Sequence, residues 1–281
     1  MIVLYLPIMN RSSRYRGTTR HISANWPIFA VLYGGLVMVL LVSGISLQNG
    51  WLSFVPLMLA LGIILVYFLV TSLWAAHHLY DLDGQRPYDI LFDMGQVKAN
   101  DTIAYIDLGL RVTPFHLRRR LTTGKIIIID VYNPQWTTGQ SLVRARAQAP
   151  QPPDDPRLVW QNGRFNLLPL PDQSVPFVML DQILSQCWQE GDRLRLLKEA
   201  NRVLTPNGRL LLAERVRTQT NWLVYGPGCV RFHPIEYWQD LLYEAGFVIR
   251  RDQDLQGLIH CIRADKPSGS EARQLALDLP L

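Results

Sequence analysis

Charged residues are scarce in this 281-residue chain, at 18% of the sequence, and the stretch from Ile22 to Tyr80 contains none. The surface of a soluble protein is rich in charge, so a segment of this length that lies open to water is excluded. Two apolar runs lie within the stretch, at residues 27–47 and 51–75, and each has the roughly 20 residues that a helix needs to cross a bilayer. Residues 27–76 are therefore predicted to form a transmembrane helical hairpin.

Two alternatives to this hairpin are a buried helical pair in a soluble core and a cleaved signal peptide. The first apolar run is long for a signal peptide, and no small-residue cleavage site clearly follows it. Tryptophans stand at the ends of the runs, where interfacial aromatic residues are common: Trp26, Trp51 and Trp74.

Positive charge is concentrated before the first apolar run. Four arginines lie within residues 1–26, the turn between the runs has no charge, and Arg86 and Lys98 follow the second run. The positive-inside rule then predicts a two-pass protein whose N-terminus and C-terminal domain are cytoplasmic. The four arginines account for most of the net charge of +5 and suit anionic lipid headgroups, so the basic balance does not indicate nucleic acid binding.

Cysteine is also rare. Cys187, Cys229 and Cys261 show no metal-ligand spacing, which is typical of reduced, buried thiols in a cytoplasmic domain. His77 and His78 lack partner ligands nearby and are interpreted as polar residues at the membrane surface. No metal site is predicted.

Short apolar runs alternate with helical periods from residue 101 to residue 266. The runs are β-branched and bounded by turn residues, as buried parallel strands are. The alternation predicts an α/β domain, a sheet covered by helices on both faces with right-handed crossovers. The strands are predicted at residues 102–106, 125–131, 157–160, 175–180 and 209–213, and the helices at 116–121, 192–204 and 235–245. Pro206-Asn207-Gly208 is predicted to end the second of these helices.

The remaining segments are predicted to connect or to end these parts. Residues 77–100 form a linker with a short helix, and the Pro-rich segment 145–156 is expected to be a loop. The tail, residues 267–281, is expected to be loosely ordered.

Four segments carry a recognisable order: "DTIAYIDLG" (101–109), "KIIIID" (125–130), "LLPLPDQS" (167–174) and "LLKEANRVLTPNGRLLLAE" (196–214). This order resembles that of the class I S-adenosylmethionine-dependent methyltransferases, in particular the branch with ubiquinone- and menaquinone-type enzymes. The resemblance covers about residues 88–266. It implies a Rossmann-like methyltransferase sheet behind the hairpin, with S-adenosylmethionine as cofactor.

The cofactor is assigned to the loop after the first strand and to the end of the second. A glycine after the first strand lets the backbone approach a nucleotide, and a carboxylate at the end of the second accepts ribose hydroxyls. Gly109 and Asp130 fill these positions, 21 residues apart, and Asp107 at the end of the first strand is a further candidate cofactor-binding residue. The family motif has further glycines where this chain has Arg111 and Thr113, and a Cβ there removes room.

Further departures occur at Gly163-Arg164-Phe165, where the family often has Gly-Asp-Ala, and at Val175-Pro176. Three interpretations stay open. The pocket is narrower but functional, with Arg111 or Arg164 pairing with the methionyl carboxylate; or the site has decayed and the domain is a scaffold; or the site holds a different ligand.

The candidate catalytic residues are Asp181 and Glu214, at the ends of the fourth and fifth strands, where a base would serve an acceptor that must lose a proton. His116 and His233 are further candidates. Residues 218–233 are aromatic and Gly-rich and are interpreted as a substrate lid.

A hairpin that confines the domain to the membrane raises its effective concentration near a membrane-dissolved acceptor. The sequence therefore predicts methylation of a lipophilic acceptor, such as a quinone, an isoprenoid, a pigment or a lipid. The alternative is a catalytically inactive subunit or assembly factor of a membrane protein complex, in which the hairpin is an interaction element.

Overall fold

A computed structural model describes residues 15–81, 84–135, 137, 139–187 and 189–268. The chain divides into two compact units, Met1–Arg86 with Gln219–Cys229, and Pro87–Thr218 with Val230–Leu281. The first is called the hairpin unit and the second the sheet unit. Two of the four N-terminal arginines and nearly all of the predicted C-terminal tail lie outside the described residues.

The regular elements of both units are named in chain order. The helices are α1 (Arg16–Ala24), α2 (Trp26–Gln48), α3 (Val55–Tyr80), α4 (Pro87–Met94), α5 (Val112–Leu117), α6 (Gln140–Ala147), α7 (Glu190–Val203), α8 (Gln219–Tyr225) and α9 (Ile235–Glu244). The strands are β1 (Thr102–Asp107), β2 (Lys125–Asp130), β3 (Leu158–Asn162), β4 (Val175–Asp181), β5 (Leu204–Glu214), β6 (Val248–Leu255) and β7 (Ile259–Asp265).

The hairpin unit contains two helices that are long and apolar enough to cross a membrane. Trp26–Gln48 and Leu52–Tyr80 each contain an 18-residue window with a mean hydropathy of 2.5. In the first helix 6% of this window is buried, and in the second 0%. Large apolar side chains along both helices are exposed, which in water would be strongly unfavourable. These properties indicate membrane association, and the two helices match the predicted hairpin apart from their last residues.

The end of α3 continues five residues beyond the predicted span, to Tyr80. Its last turns bury Ala75, Ala76 and Leu79. Just after it, the buried carboxylate of Asp81 accepts hydrogen bonds from the Thr18 backbone N–H (3.0 Å) and hydroxyl (2.6 Å), and pairs with His77 Nδ1 at 2.8 Å. This polar network joins the start of α1 to the end of α3. The imidazole of His77 is therefore bound by the Asp81 carboxylate.

The described strands of the sheet unit form one seven-stranded sheet in the order β3-β2-β1-β4-β5-β7-β6. The first five strands are parallel, and β7 is antiparallel to both β5 and β6. Successive residues of β1, such as Ile103 and Ala104, are fully buried. Side chains of successive strand residues point to opposite faces, so both faces are covered. The predicted α/β class is confirmed, with an antiparallel pair at one edge.

The main core lies between the sheet and helices that pack on it. The side chains of Leu196, Leu197 and Ala200 on one stripe of α7 are fully buried, as is Trp238 of α9. Burial of each large apolar side chain stabilises the fold by roughly 1.5–3 kcal/mol. This core holds the carboxyl ends of the parallel strands in place.

Some element predictions differ from the structure. The helix predicted at 116–121 begins earlier, as α5, and continues into a short 3₁₀ turn at Arg118–Arg120. The helix predicted to run to Leu204 ends at Val203, and Pro206-Asn207-Gly208 lies within β5 instead of after a helix. Helix α6 overlaps the predicted loop 145–156, because its pattern is mostly polar and gives little periodic signal.

Candidate active site

Carboxylates end four parallel strands at one edge of the sheet. These residues are Asp107 of β1, Asp130 of β2, Asp181 of β4 and Glu214 of β5, and in the register of the sheet Asp107 stands beside Asp130. The order of strands reverses between β1 and β4, and open α/β sheets bind ligands outside the carboxyl ends of strands at such a point. The structure thus brings four of the predicted site residues to the edge where a ligand site is expected.

The loop after β1 keeps a glycine-like backbone in spite of its missing glycines. Gly109 has φ +77° and Arg111 has φ +61°, the left-handed region that glycine adopts most easily. The Arg111 N–H donates to the Asp107 carboxylate at 3.0 Å, which holds this conformation. The Arg111 guanidinium lies 5.9 Å from the centre of the Trp160 ring. The loop therefore follows a glycine-type path although it carries an arginine.

Thr113 occupies the other missing-glycine position and has a polar role. Its hydroxyl forms side-chain hydrogen bonds with Tyr105 and Asp181. The Tyr105 side chain is buried, and burial raises the pKa of its hydroxyl well above the ordinary value. The threonine thus satisfies a buried hydroxyl that a glycine would leave without this partner.

The ribose-type carboxylate Asp130 is bound by a residue that the sequence pattern does not single out. Arg146 of α6 donates from Nη1 to Asp130 Oδ1 at 2.9 Å, and its Nη2 lies 2.7 Å from Oδ2. Arg146 Nη1 also donates to the Leu108 carbonyl at 2.8 Å, and the guanidinium lies 4.3 Å from the centre of the Tyr132 ring. The two-pronged contact occupies both oxygens of Asp130.

The same guanidinium covers Gly109. A Cβ added to Gly109 would clash with Arg146 Nη1, so only glycine leaves space for this arrangement. The Asp130 side chain is 16% exposed and that of Arg146 is 31% exposed. We call Arg146, Asp130 and Gly109 the arginine latch. In this conformation the latch fills the space where the backbone would approach a nucleoside.

Two carboxyl groups at this edge have raised pKa values. Burial raises the pKa of Asp107 from 3.8 to about 6, opposed by the hydrogen bond from the Arg111 N–H. Burial likewise raises the pKa of Asp181 to about 6, although hydrogen bonds from Gln182 and Thr113 oppose it. Both groups therefore exchange protons closer to neutral pH than ordinary aspartates do. Such carboxyl groups suit proton transfer.

Glu214 lies deeper, with 1% of its surface exposed. Its Oε1 accepts the backbone N–H of Leu184 at 2.7 Å and of Ser185 at 3.4 Å, while Oε2 has no hydrogen-bond partner among the described residues. Burial raises the pKa of Glu214 from 4.5 to about 7. Glu214 therefore anchors the turn after β4 and carries a proton for part of the time at neutral pH.

Arg193 of α7 binds the other side of that turn. Its guanidinium donates to the carbonyls of Leu184 and Cys187 at 2.9–3.1 Å, and its Nη1 donates to Tyr237 Oη at 2.8 Å. Nη1 also lies 2.7 Å from His233 Nε2. A guanidinium can only donate, so Nε2 accepts and the proton of the neutral ring is on Nδ1. Burial and the charge of Arg193 lower the pKa of His233 and keep the ring neutral.

The remaining predicted residues lie elsewhere in the sheet unit. Arg164 is exposed in the turn after β3, where its backbone pairs with that of Leu167. His116 of α5 stacks on Tyr88, with ring centres 5.5 Å apart. Among the residues that the structure describes, no group of three or more His, Cys, Asp or Glu side chains could hold a metal ion.

Residues 117–212 match a family model described as a methyltransferase domain. No curated protein matches the chain. Among solved structures, an S-adenosylmethionine-dependent methyltransferase from Aquifex aeolicus is similar, with 18% identity over 64% of this chain and 89% of that one and a TM-score of 0.50. The cyclase SpnF is similar as well, with 16% identity over 68% of this chain and 83% of that one and a TM-score of 0.52.

These structural likenesses show the fold. They agree with the strand order of the sheet unit described above. The sheet unit therefore has the fold of S-adenosylmethionine-dependent methyltransferases, and residues 117–212 within it match a methyltransferase domain.

Proposed function

We propose that this chain is a membrane-anchored methyltransferase that transfers the methyl group of S-adenosylmethionine to a lipophilic acceptor, such as a quinone, an isoprenoid, a pigment or a lipid. The observation that carries this proposal is the pair of Gly109 and Asp130 at the switch point of the sheet, on a loop with a glycine-type backbone. The two exposed apolar helices support the anchoring. Confinement to the membrane favours an acceptor that is dissolved there.

The residues at the switch point fit an adenosyl group if Arg146 turns away. The two oxygens of Asp130 now receive two N–H groups from Arg146, and two neighbouring ribose hydroxyls would supply equivalent donors. The atoms that cover Gly109 are the far end of a flexible arginine side chain, so they can move into solvent without a backbone shift. Asp130 and Gly109 would then hold the nucleoside, and Arg146 is the group that binding displaces.

S-adenosylmethionine, when bound, supplies a methyl group on a positively charged sulfur. The transfer is a displacement for which orientation provides most of the acceleration. The hydrogen bond from the Arg111 N–H to Asp107 fixes the loop on which the cofactor would lie. Asp181, with a pKa of about 6, is mostly ionised at neutral pH and can take a proton from an acceptor hydroxyl or an activated carbon.

The proposal is tested by methyl transfer to lipids. The full chain in phospholipid vesicles is incubated with radiolabelled S-adenosylmethionine and a membrane lipid extract, and the label in the organic phase is measured. We expect labelled lipid with the natural chain and with Arg195→Gln, an exposed variant on α7, but none with Asp130→Asn. If no label reaches the organic phase with any membrane lipid extract, the proposal of a lipophilic acceptor is overturned.

The arginine latch favours a second candidate function, a non-catalytic subunit or assembly factor of a membrane protein complex. Arg146 would then hold the crevice closed permanently, and the hairpin would bind partner helices. This candidate predicts that Arg146→Gln lowers the thermal stability of the protein without creating affinity for S-adenosylhomocysteine. Binding of that compound by the natural chain would contradict it.

A further inference from the structure

A second charge-free segment follows the sheet strand β5. Residues 218–230 contain no Asp, Glu, Lys or Arg, and Arg217 and Arg231 stand directly on either side. The segment carries Trp222, Leu223 and Tyr225. Soluble loops of this length are normally polar, so the composition points to an environment other than water.

The two ends of the segment are held together at its base. The Arg217 N–H donates to the His233 carbonyl at 2.8 Å, and its guanidinium donates to the carbonyls of Phe232 at 2.9 Å and Val230 at 3.0 Å. Val216 and His233 also form a β-bridge. The residues between these anchors therefore form a loop whose two ends are held side by side. Its middle, Gln219–Cys229, belongs to the hairpin unit.

Within the hairpin unit, Gln219–Cys229 packs on α3. Gly226 has φ +53°, and a Cβ added there would lie 3.0 Å from two ring atoms of Phe68. The inward face of α8 buries Asn221 and Val224. The outward face exposes 43% of Trp222 and 61% of Leu223. An exposed tryptophan and leucine on a helix without charge form an exposed apolar surface in the hairpin unit.

Gly226 directly follows α8, so its contact with Phe68 places the end of α8 at a defined height along α3. Phe68 precedes Trp74, the aromatic residue at the end of the apolar run, by six residues. At 1.5 Å per residue, Phe68 lies about 9 Å from Trp74 toward the middle of the span. Helices that lie in a membrane interface bury their apolar face by roughly 5–10 Å.

We propose that Gln219–Cys229 is a third membrane-contacting element, whose Trp222 and Leu223 enter the boundary between lipid headgroups and acyl chains. Arg217 and Arg231 flank it where phosphate groups bind cations. The inference rests on the proposed membrane anchoring of the hairpin. Residues 218–233, which are predicted to form a substrate lid, would then have a surface that faces lipid.

The test uses single exposed cysteines with an environment-sensitive fluorophore in the full chain, because Cys187, Cys229 and Cys261 are buried. Three variants are labelled: Leu223→Cys on α8, Leu40→Cys on α2 as the membrane reference, and Leu167→Cys in the sheet unit as the water reference. All three leucines are more than half exposed, at 61%, 65% and 61%. The protein is placed in vesicles of phosphatidylcholine and phosphatidylglycerol that contain shallow or deep nitroxide lipids.

We expect the label at residue 223 to emit at shorter wavelength than the label at 167 and to be quenched more by shallow than by deep nitroxides. The label at residue 40 is expected to be quenched by deep nitroxides and the label at 167 by neither. If the label at 40 is quenched and the label at 223 behaves like that at 167, the inference fails while the anchor stands. If none is quenched, the proposed anchoring fails, and the inference fails with it.

Discussion

At the scale of single residues, we expect the arginine latch to weaken the binding of an adenosyl ligand in the crevice. Arg146 and a ribose would compete for the same two oxygens of Asp130, because both offer paired donors. We predict that Arg146→Gln tightens the binding of S-adenosylhomocysteine by roughly 5- to 30-fold, the equivalent of 1–2 kcal/mol. Isothermal titration calorimetry on the full chain measures the change, with Arg195→Gln as the control. Weaker binding by Arg146→Gln would mean that Arg146 contacts the cofactor.

The buried Glu214 makes stability depend on pH. Its pKa is raised from 4.5 to about 7 in the folded chain, so the folded state holds the proton more tightly than the unfolded state. The stabilisation is complete below pH 4.5 and is lost as the pH rises through 7. The loss is on the order of 3 kcal/mol.

We therefore predict that the melting temperature of the full chain in detergent falls on the order of a few degrees between pH 5.5 and pH 8.5. The melting temperature of Glu214→Gln should fall less over the same range. A smaller decline should remain in this variant, because Asp107 and Asp181 also have raised pKa values. Equal declines in both proteins would show that the Glu214 carboxyl does not titrate in this range.

The positions of Gly109, Asp130, Asp181 and Glu214 follow from the sequence, because each stands at the end of an apolar strand. The latch does not. Arg146 lies in a polar helix whose pattern gives no inward face, so the sequence does not predict its contact with Asp130, 16 residues earlier. The structure also accounts for the two missing glycines, because Arg111 tolerates a left-handed backbone and Thr113 binds Tyr105.

At the scale of elements, the turn after β4 depends on Arg193. The guanidinium satisfies two backbone carbonyls and joins α7 to Tyr237 of α9. We predict that Arg193→Ala lowers the free energy of unfolding by about 1–3 kcal/mol, because buried carbonyls lose their donor. Arg195→Ala, on the same helix with a 64% exposed side chain, should change it by less than about 0.5 kcal/mol.

Denaturant unfolding of the full chain in detergent, followed by tryptophan fluorescence, compares these two variants. Similar losses for both would contradict a special role for Arg193. If Arg193→Ala lowers the free energy of unfolding and Arg193→Lys keeps most of it, the charge alone, and not the forked guanidinium, holds the turn.

The sequence predicts strands better than helix ends. The apolar runs of β1, β2 and β4 mark their strands to within one residue, because buried parallel strands consist of little else. The prediction for the junction of α7 and β5 was wrong, since Pro206-Asn207-Gly208 usually ends a helix. Here the strand begins before it, with Leu204 buried and paired to Val175. Tertiary pairing outweighs the local turn signal there.

At the scale of the whole molecule, the proposed two-pass hairpin, with the N-terminus and the C-terminal domain in the cytoplasm, would leave the turn between the spans on the outside. We predict that an impermeant maleimide labels Asn49→Cys in intact bacterial spheroplasts, because Asn49 is exposed at the end of α2. Leu167→Cys should react only after lysis. The reverse pattern would show the opposite orientation, and labelling of both before lysis would contradict a membrane-spanning hairpin.

The hairpin could be predicted because few structures besides a membrane span tolerate a charge-free stretch as long as that from Ile22 to Tyr80. The division of the chain could not, because it assigns Gln219–Cys229 to the hairpin unit although the sequence places that segment inside the methyltransferase domain. Its own lack of charge was the available signal. Short apolar segments resemble lids, so this signal is ambiguous without a contact such as that of Gly226 with Phe68.

The central claim is that the crevice beside Asp130 still admits an adenosyl ligand, and thermal unfolding of the full chain with S-adenosylhomocysteine tests it most directly. At about 100 times the dissociation constant, the ligand should add about 2.7 kcal/mol of stability. We predict a clear rise in melting temperature for the natural chain, a larger rise at the same concentration for Arg146→Gln, and none for Asp130→Asn. No rise for the natural chain at millimolar ligand would contradict the claim.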